Sequence, residues 1–369
     1  MSTLPNPLPG QGALTGRRAR LSAVLVAVLA TATLATTVPD EAVGAASGDD
    51  RVRRVVAISV DGLAASAVRD LGRAGTPALH RMIANGAATL NARTLRESTS
   101  TLPNHTGMVT GRRLLPTAGG HGVDFNKDNG LTAHDAAGEY VDSVFSTVHD
   151  RGGTTAFYSG KDKLDFLDRS WNARHARPDP VGVGHGRDKI DRYVRLGETD
   201  LLVTRMLRQL RRNPATFTFL HLRLPDSAGH KFGYLSDPYM QAVREADALV
   251  RRVLRTVHRR PALRRHTVVV LTADHGGHAG AGSLSHQDPT RPGHYRIPFL
   301  VWGASVARGV NLYDRNHDRR RPGSRRTTYA GRQPVRNAEV ANLVTDLLDL
   351  PAVPGSQLNA RRTLDVTPR

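Results

Sequence analysis

Short apolar runs and longer segments of helical periodicity alternate along most of the chain. Val55–Val60 is a nearly continuous apolar run, which is typical of a strand buried on both faces of a sheet. Thr267–Thr272 and Ile297–Trp302 have the same pattern, and Thr216–Leu222 alternates Thr, Phe, Leu and His. Asp237–Arg259 instead places apolar residues three and four positions apart, which predicts the longest helix. This alternation predicts an α/β fold with a mainly parallel central sheet sandwiched by helices.

Other segments extend this alternation to the C-terminus. Further helices are predicted at Thr76–Asn85, Val141–Arg151, Thr199–Arg212 and Asn337–Leu350, and a further strand at Thr154–Tyr158. The arginine-rich segment Gly309–Pro334 has little apolar content and is interpreted as a surface excursion. We find no internal repeat, so a single domain over residues 47–369 is the simplest organisation.

Residues 1–46 have the pattern of a secretory signal peptide. Arginines precede the apolar run Leu21–Val38, and small residues follow it. The 18-residue run could just span a bilayer, so an uncleaved anchor is the alternative, but its threonines and the small residues after it favour cleavage. The Arg17-Arg18 pair is a weak sign of twin-arginine export. The sequence predicts a secreted, extracellular protein without stable membrane association after cleavage.

Composition narrows the chemistry. The chain has no cysteine, which excludes thiolate metal ligands, thiol nucleophiles and disulfides. Its net charge of +19 could indicate a polyanionic partner, but the basic residues are scattered apart from the run Arg315–Arg326. Aromatic residues do not alternate with them as they do in single-strand-binding surfaces. We therefore expect a solvated basic surface rather than nucleic-acid binding.

Three of the strand-like segments lead to an aspartate: Asp61, Asp226 and Asp274. A single such aspartate is ordinarily a turn or helix-cap residue. In open α/β sheets, however, the carboxyl ends of the strands form the ligand crevice, where three carboxylates would repel unless cations neutralised them. His230 follows Asp226 by four residues, and His275 directly follows Asp274. Aspartate and histidine without cysteine suit zinc, with manganese as the alternative.

The hydroxyl-rich segment Ser98–Thr106 offers a nucleophile, and it runs into Pro103, a residue that favours a helix start. A hydroxyl at a helix N-terminus faces unpaired N–H groups that favour an oxyanion and a bound phosphate. The ordinary alternative is a run of N-cap residues. Beside a metal, the hydroxyl would ionise more easily and attack phosphorus.

Together these motifs resemble the alkaline phosphatase superfamily, and more specifically its nucleotide pyrophosphatase/phosphodiesterase-like branch. The resemblance extends from about Val55 to Trp302 and implies an alkaline phosphatase-like fold. The matching pieces are Asp61-Gly62, Thr101–Gly111, His121–Asn126, Pro225–His230 and Thr272–Gly277.

The resemblance implies two adjacent sites for divalent metal ions. The residues implied for the first ion are Asp61, Asp274, His275 and the oxygen of Thr101, the nucleophile. The residues implied for the second ion are Asp226, His230 and a third histidine. His286 is favoured as that histidine, and His294 is the alternative. Asn126 matches an asparagine that donates a hydrogen bond to the phosphoryl group.

The expected function is that of a secreted metal-dependent phosphodiesterase or nucleotide pyrophosphatase acting on a small phosphate ester or nucleotide. A phosphomonoesterase, a phosphonate or lipid-headgroup hydrolase and a non-catalytic binding module are the alternatives. A headgroup transferase is less favoured because the chain has a single long apolar segment. The serine and arginine of the monoesterase branch have no counterpart, and without cysteine a sulfatase formylglycine cannot form.

Overall fold

The computed structural model describes residues 51–180 and 187–368, so the predicted signal peptide at 1–46 lies outside the described residues. Asp49–Arg369 forms one compact unit. Within the described ranges, none of the helices combines the length and the hydropathy needed to cross a bilayer.

One eight-stranded sheet runs through the described part of the chain, in the order β4-β3-β5-β1-β6-β7-β2-β8. The strands are β1 (Arg54–Val60), β2 (Ala87–Arg93), β3 (Thr155–Ser159), β4 (Arg192–Arg195), β5 (Phe217–Leu222), β6 (Thr267–Thr272), β7 (Arg296–Gly303) and β8 (Val310–Asn311). β4, β3, β5, β1 and β6 are mutually parallel, and β7 is antiparallel to both of its neighbours. The mainly parallel sheet predicted from the sequence is confirmed.

Helices connect and cover these strands. They are α1 (Ala65–Gly75), α2 (Pro77–Ala84), α3 (Thr101–Thr110), α4 (Ala133–Ala137), α5 (Val144–His149), α6 (Asp165–Trp171), α7 (Thr199–Arg212), α8 (Leu224–Phe232), α9 (Asp237–Arg259), α10 (Pro261–Arg264), α11 (Pro292–Tyr295), α12 (Leu312–Arg315) and α13 (Val340–Leu347). Short 3-10 turns occur at Pro116–Ala118, Asp162–Leu164 and Asn337–Glu339.

The centre of the sheet is the most apolar part of the fold. β1 is buried along its length beyond Arg54, and it lies between β5, where Val55 pairs with Phe217, and β6, where Arg54 pairs with Thr267. Because these three strands are parallel, their carboxyl ends meet at one edge of the sheet. We call this the carboxyl edge and the opposite side the amino edge.

Two helices illustrate how the local sequence determines the packing. α9 buries the stripe that its spacing predicts, including Val243, Val250 and Val257, and leaves its polar face to solvent. α3 is different, because all of its residues are buried, including Asn104 and His105. A helix buried on every side is fixed by its surroundings rather than by an amphipathic face.

Two predictions needed correction. The segment Gly309–Pro334 is not only a surface excursion, because Val310 and Asn311 form β8 beside β2 and Tyr313 is buried. The predicted helix Val141–Arg151 is shorter, since α5 begins only after the N-cap Ser143.

Candidate metal centre

Three buried aspartates meet at the carboxyl edge. Asp61 directly follows β1, Asp226 lies in the first turn of α8, and Asp274 follows β6 by two residues. All three are at most 1% exposed. His275 Nε2 lies 3.3 Å from Asp61 Oδ1, 3.5 Å from Asp226 Oδ1 and 3.4 Å from Asp274 Oδ2. The sheet thus brings four of the predicted residues into one cluster.

Two further histidines approach this cluster through Asp226. Asp226 Oδ1 is 3.8 Å from His286 Nε2 and 3.4 Å from His230 Nε2. Asp226 and His230 are one turn apart on α8. The imidazole of His286 stacks on that of His275 with ring centroids 3.4 Å apart.

Backbone carbonyls fix the orientation of these rings. Nδ1 of His286 hydrogen-bonds to Thr99 O at 2.7 Å, and Nδ1 of His230 to Leu284 O at 2.8 Å. A hydrogen bond at one ring nitrogen sets the tautomer that leaves the other nitrogen as a lone-pair donor, which is the usual arrangement of metal-binding histidine. Both Nε2 atoms accordingly face Asp226.

The structure separates His286 from the alternative, His294. His294 Nε2 contacts His278 Nδ1 at 2.7 Å, and its Nδ1 contacts Asp288 O at 2.8 Å. Ligand atoms close enough to share one ion include the triads Asp61-Asp274-His275 and Asp226-His275-His286, and His294 belongs to neither. Of the two histidines, His286 lies beside Asp226 and His294 lies beside His278.

Thr101 is the first residue of α3 and follows the extended residue Ser100. Its side chain is 1% exposed, and Oγ1 has no hydrogen-bond partner. Asn126 Oδ1 accepts a hydrogen bond from the Leu102 amide at 3.0 Å, which leaves the Asn126 side-chain nitrogen as a donor. His105 Nδ1, one turn along α3, contacts Thr101 O at 2.8 Å and lies 3.7 Å from Asp274 Oδ2. The start of α3 is therefore tied to the carboxylate cluster.

Sequence reasoning missed three residues that contact the aspartates. Lys161 Nζ lies 2.7 Å from Asp61 Oδ2 and also pairs with Asp226 Oδ2. His221 Nε2 lies 2.9 Å from Asp61 Oδ2, and the Tyr234 hydroxyl donates to Asp226 Oδ1. His221 is a histidine within the buried strand β5, which is a signal that the sequence offered. Lys161 lies just after β3, whose carboxyl end meets the same edge.

Burial and mutual repulsion set the ionisation of the cluster. Burial and the charge of Asp61 raise the pKa of Asp274 to about 7. Burial also opposes ionisation of Asp61, but the Lys161 ammonium and the hydrogen bond to His221 hold the pKa of Asp61 well below its ordinary value. Burial and the neighbouring His275 lower the pKa of His286 to about 2, so its ring is neutral. Full ionisation of the carboxylates therefore requires more positive charge than Lys161 supplies.

The donor set fits divalent ions. Several buried atoms in or beside the cluster lack a hydrogen-bond partner, among them Asp61 Oδ1, Thr101 Oγ1, Asp274 Oδ2 and His275 Nε2. Buried polar atoms without partners are costly unless a ligand satisfies them. Carboxylate oxygens with neutral imidazoles suit zinc or manganese.

A glycine allows the close approach of two of these elements. Gly62, directly after Asp61, has φ +72°, and a Cβ at this position would lie 2.9 Å from the Cα and Cβ of Asp226. Its amide also donates to Asp274 Oδ1 at 3.0 Å. A larger residue here would push α8 away from β1.

An open cavity of about 550 Å³ adjoins Asn126. It is lined by basic and acidic side chains in similar number: Lys127, Asp128, Asp162, Lys163, Asp165 and Arg169. The space is large enough for part of a small organic ligand.

Comparison with known proteins defines the family. The type I phosphodiesterase / nucleotide pyrophosphatase family matches residues 55–127 and 135–295, and the chain belongs to this family. The resemblance to the alkaline phosphatase superfamily and its nucleotide pyrophosphatase-like branch is thereby confirmed.

Curated relatives and solved structures extend the comparison. The chain is 32% identical over 113 residues to GPI ethanolamine phosphate transferase 1 of Yarrowia lipolytica, with 30% of this chain and 12% of the relative aligned. It is 26% identical over 240 residues to the same enzyme of Candida glabrata, with 63% of this chain and 24% of the relative aligned. The chain thus spans a quarter or less of these relatives.

Solved structures share the fold. Murine ectonucleotide pyrophosphatase / phosphodiesterase 5, in an inactive form in complex with AMP, superposes with a TM-score of 0.58 at 14% identity, covering 86% of this chain and 100% of that one. A 2-O GAG sulfatase superposes with a TM-score of 0.53 at 14% identity, covering 82% of this chain and 72% of that one. These similarities establish the alkaline phosphatase-like fold.

Proposed function

We propose that this phosphoesterase-family chain is a secreted phosphodiesterase or nucleotide pyrophosphatase that uses Thr101 as nucleophile and two divalent metal ions, most simply zinc. The observation that carries the proposal is the buried, unpartnered Thr101 hydroxyl at the start of α3, beside a cluster of carboxylates and imidazoles. The family match and the AMP bound to the murine relative support a phosphate ester or nucleotide as substrate.

The side chains divide into two ligand sets. The first consists of Asp61, Asp274, His275 and Thr101. The second consists of Asp226, His230 and His286. His275 Nε2 is within 3.5 Å of all three aspartates, so the two ligand sets are directly adjacent. When bound, the ions would supply Lewis acidity that lowers the pKa of a hydroxyl and neutralises phosphoryl oxygens.

Each residue around the nucleophile has a defined task. The Thr101 oxygen forms a bond to phosphorus as its proton is lost, and the bond from phosphorus to the leaving oxygen breaks. The Asn126 side-chain nitrogen, held at the start of α3 by the hydrogen bond from the Leu102 amide to Asn126 Oδ1, donates to a phosphoryl oxygen, where negative charge concentrates in the transition state. Water then attacks the threonyl phosphoester, which releases the product and restores Thr101.

Transfer of a phosphorylated headgroup is the second candidate, and the two GPI ethanolamine phosphate transferase relatives support it. Hydrolysis and transfer share the attack by Thr101 and differ in the acceptor, which is water in one case and an alcohol in the other. Adding an alcohol acceptor to the assay and following its phosphorylated product distinguishes them.

The direct test compares two chromogenic substrates. With zinc supplied, we expect the purified protein to cleave bis(nitrophenyl) phosphate faster than nitrophenyl phosphate, and elemental analysis to find two ions per chain. The reverse ranking would contradict the diesterase proposal while leaving the metal centre in place. Sequencing the N-terminus of protein recovered from culture medium tests secretion, and a start near residue 47 is expected.

A further inference from the structure

The two oxygens of each aspartate in the metal centre have different surroundings. In Asp61, Oδ2 pairs with Lys161 Nζ at 2.7 Å and contacts His221 Nε2 at 2.9 Å. Oδ1 of Asp61 has no hydrogen-bond partner in the described part of the chain and lies 3.3 Å from His275 Nε2. The protein therefore holds one oxygen of this carboxylate, and the other faces the imidazole at the centre of the cluster.

Asp274 has the same arrangement, with backbone amides as the donors. Its Oδ1 accepts hydrogen bonds from the amides of Gly62 and His275, each at 3.0 Å. Its Oδ2 is buried without a hydrogen-bond partner among the described residues and lies 3.4 Å from His275 Nε2. The carboxylates that follow β1 and β6 thus each have one oxygen held and one oxygen left over.

Asp226 resembles the other two, with one additional contact. Its Oδ2 pairs with Lys161 Nζ, so a single ammonium holds one oxygen of Asp61 and one of Asp226. Its Oδ1 accepts the hydroxyl of Tyr234 and lies 3.5 Å from His275 Nε2. A carboxylate oxygen has a second lone pair, so this oxygen can still bind an ion.

The side chains that hold these oxygens are themselves fixed at the end of β3. The Gly160 amide donates to His221 Nδ1 at 3.2 Å, which leaves Nε2 as the protonated nitrogen that donates to Asp61. The next residue, Lys161, is anchored by Ser159, whose Oγ accepts from the Lys161 amide at 3.2 Å and donates to its carbonyl at 2.7 Å. Since β3 and β1 both pair with β5, these donors lie on a rigid part of the fold.

This arrangement limits how the carboxylates can bind an ion. A carboxylate with one oxygen already occupied binds through the other oxygen alone, as a monodentate ligand. Zinc is satisfied by a small tetrahedral set of nitrogen and oxygen ligands. Manganese, magnesium and calcium take larger, oxygen-rich ligand sets, to which a carboxylate can contribute both of its oxygens. Donors that occupy the second oxygen therefore favour zinc.

We propose that Lys161 and His221 select zinc over manganese by occupying the second oxygens of Asp61 and Asp226. Both are positioning residues, because they act on the ion through the carboxylates and belong to neither ligand set. This selection rests on the two-ion site proposed above, and it distinguishes between the two ions that the donor set alone leaves open.

The test measures the affinity of the metal-stripped protein for zinc and for manganese, each by competition with a chelating indicator. Because both ions carry the same charge, the ratio of the two affinities cancels the simple electrostatic effect of losing an ammonium. Lys161→Met is expected to lower the zinc-to-manganese ratio about tenfold, since Asp226 can then bind an ion through both oxygens. Lys163→Met is the matched control, because it removes the same charge two residues away, from a side chain that pairs with no carboxylate in the described chain.

Two substitutions of His221 separate the positioning of Asp61 from packing. His221→Gln keeps a side-chain N–H for Asp61 Oδ2 and is expected to preserve the ratio within about twofold. His221→Leu removes the donor and is expected to lower the ratio about fivefold. Thermal melts of the zinc-loaded variants check that the proteins compared are folded.

The outcomes separate the selection of zinc from the proposed function. A ratio that stays at the parent value in Lys161→Met and His221→Leu would overturn the selection while leaving the two-ion site in place. An equal fall in Lys163→Met, or in His221→Gln and His221→Leu alike, would have the same meaning. Failure of the parent protein to bind either ion would reject both the selection and the two-ion site.

Discussion

The two edges of the sheet deal with concentrated charge in opposite ways. At the carboxyl edge, three aspartates are buried and each contacts imidazoles, a lysine or a tyrosine. At the amino edge, Arg211, Arg255 and Arg259 are exposed and pair with no carboxylate of the described residues. Burial explains the contrast, since a buried charge must be matched within the molecule whereas an exposed one is screened by solvent or matched by another surface. The carboxyl edge therefore matches its charge within the molecule, and the amino edge leaves its charge to the solvent.

The largest effect is expected from removing the nucleophile at the carboxyl edge. Thr101→Ala should lower kcat for a phosphodiester by on the order of 10³-fold or more, because no other group forms the bond to phosphorus. Steady-state kinetics and elemental analysis are measured together, and bound metal should largely remain. Thr101→Ser keeps a hydroxyl and should retain much of the activity. Undiminished turnover by the alanine variant would reject Thr101 as nucleophile.

The second prediction distinguishes His286 from His294 as the metal ligand. His286→Ala removes a ring that faces Asp226 and should cost one of two bound ions, whereas His294→Ala removes a ring held by His278 and should cost none. Elemental analysis after dialysis measures the difference. Loss of an ion only in the His294 variant would reverse the ligand assignment.

A smaller effect concerns the lysine between the two ligand sets. Lys161→Met leaves Asp61 and Asp226 without their shared ammonium, so the chelator-treated protein should lose about 2–4 kcal/mol of unfolding free energy. Thermal melts with EDTA and with zinc measure this, and the zinc-loaded variant should be affected less. Lys163→Met is the matched control, since Lys163 pairs with no carboxylate in the described chain. Equal destabilisation with and without zinc would contradict this account.

The smallest effect is expected at His149, which lies among aspartates at the amino edge. His149, at the end of α5, contacts Asp191 at 3.3 Å and Asp179 at 2.9 Å. The hydrogen bonds to Asp191 and Asp179 raise the pKa of His149 above its ordinary value, although burial alone would lower it. This stabilisation is complete below the ordinary histidine pKa and is lost as pH rises through the raised value.

His149→Gln should therefore cost more at pH 5.5 than at pH 8.5. Asp191 is 35% exposed, so solvent screening limits the difference to about 0.5–1 kcal/mol. Urea unfolding at both pH values measures it. His258→Gln changes an exposed histidine without a carboxylate partner in the described chain and should show no such difference. A larger loss at pH 8.5 would contradict the assigned sign.

The sequence predicted correctly those features that depend on the pattern within a single helix or strand. The bounds of α7, α9 and β6 follow from periodicity and continuous burial, and the structure has them as predicted. The convergence of Asp61 and Asp274 follows from parallel strands ending at one edge.

The sequence was less informative where a contact depends on how distant elements pack. Lys161 reaches Asp61 only because the β3 and β1 ends lie across β5 from each other, and no local pattern encodes that distance. β2 was not predicted, because polar residues interrupt its apolar pattern. Its buried Arg93 donates hydrogen bonds to backbone carbonyls, including Gly323 O and Arg325 O.

The central position of β1 also governs the order in which the molecule can be assembled. Its two neighbours in the sheet begin at Phe217 and Thr267, long after Arg54 in the direction of synthesis. A nascent chain therefore carries an apolar strand with neither neighbour until most of the protein has been made. Such long-range pairing is slow, and apolar surface that is prone to aggregation stays exposed until it is complete. The edge where Asp61 and Asp274 meet therefore forms only after β6 has paired with β1.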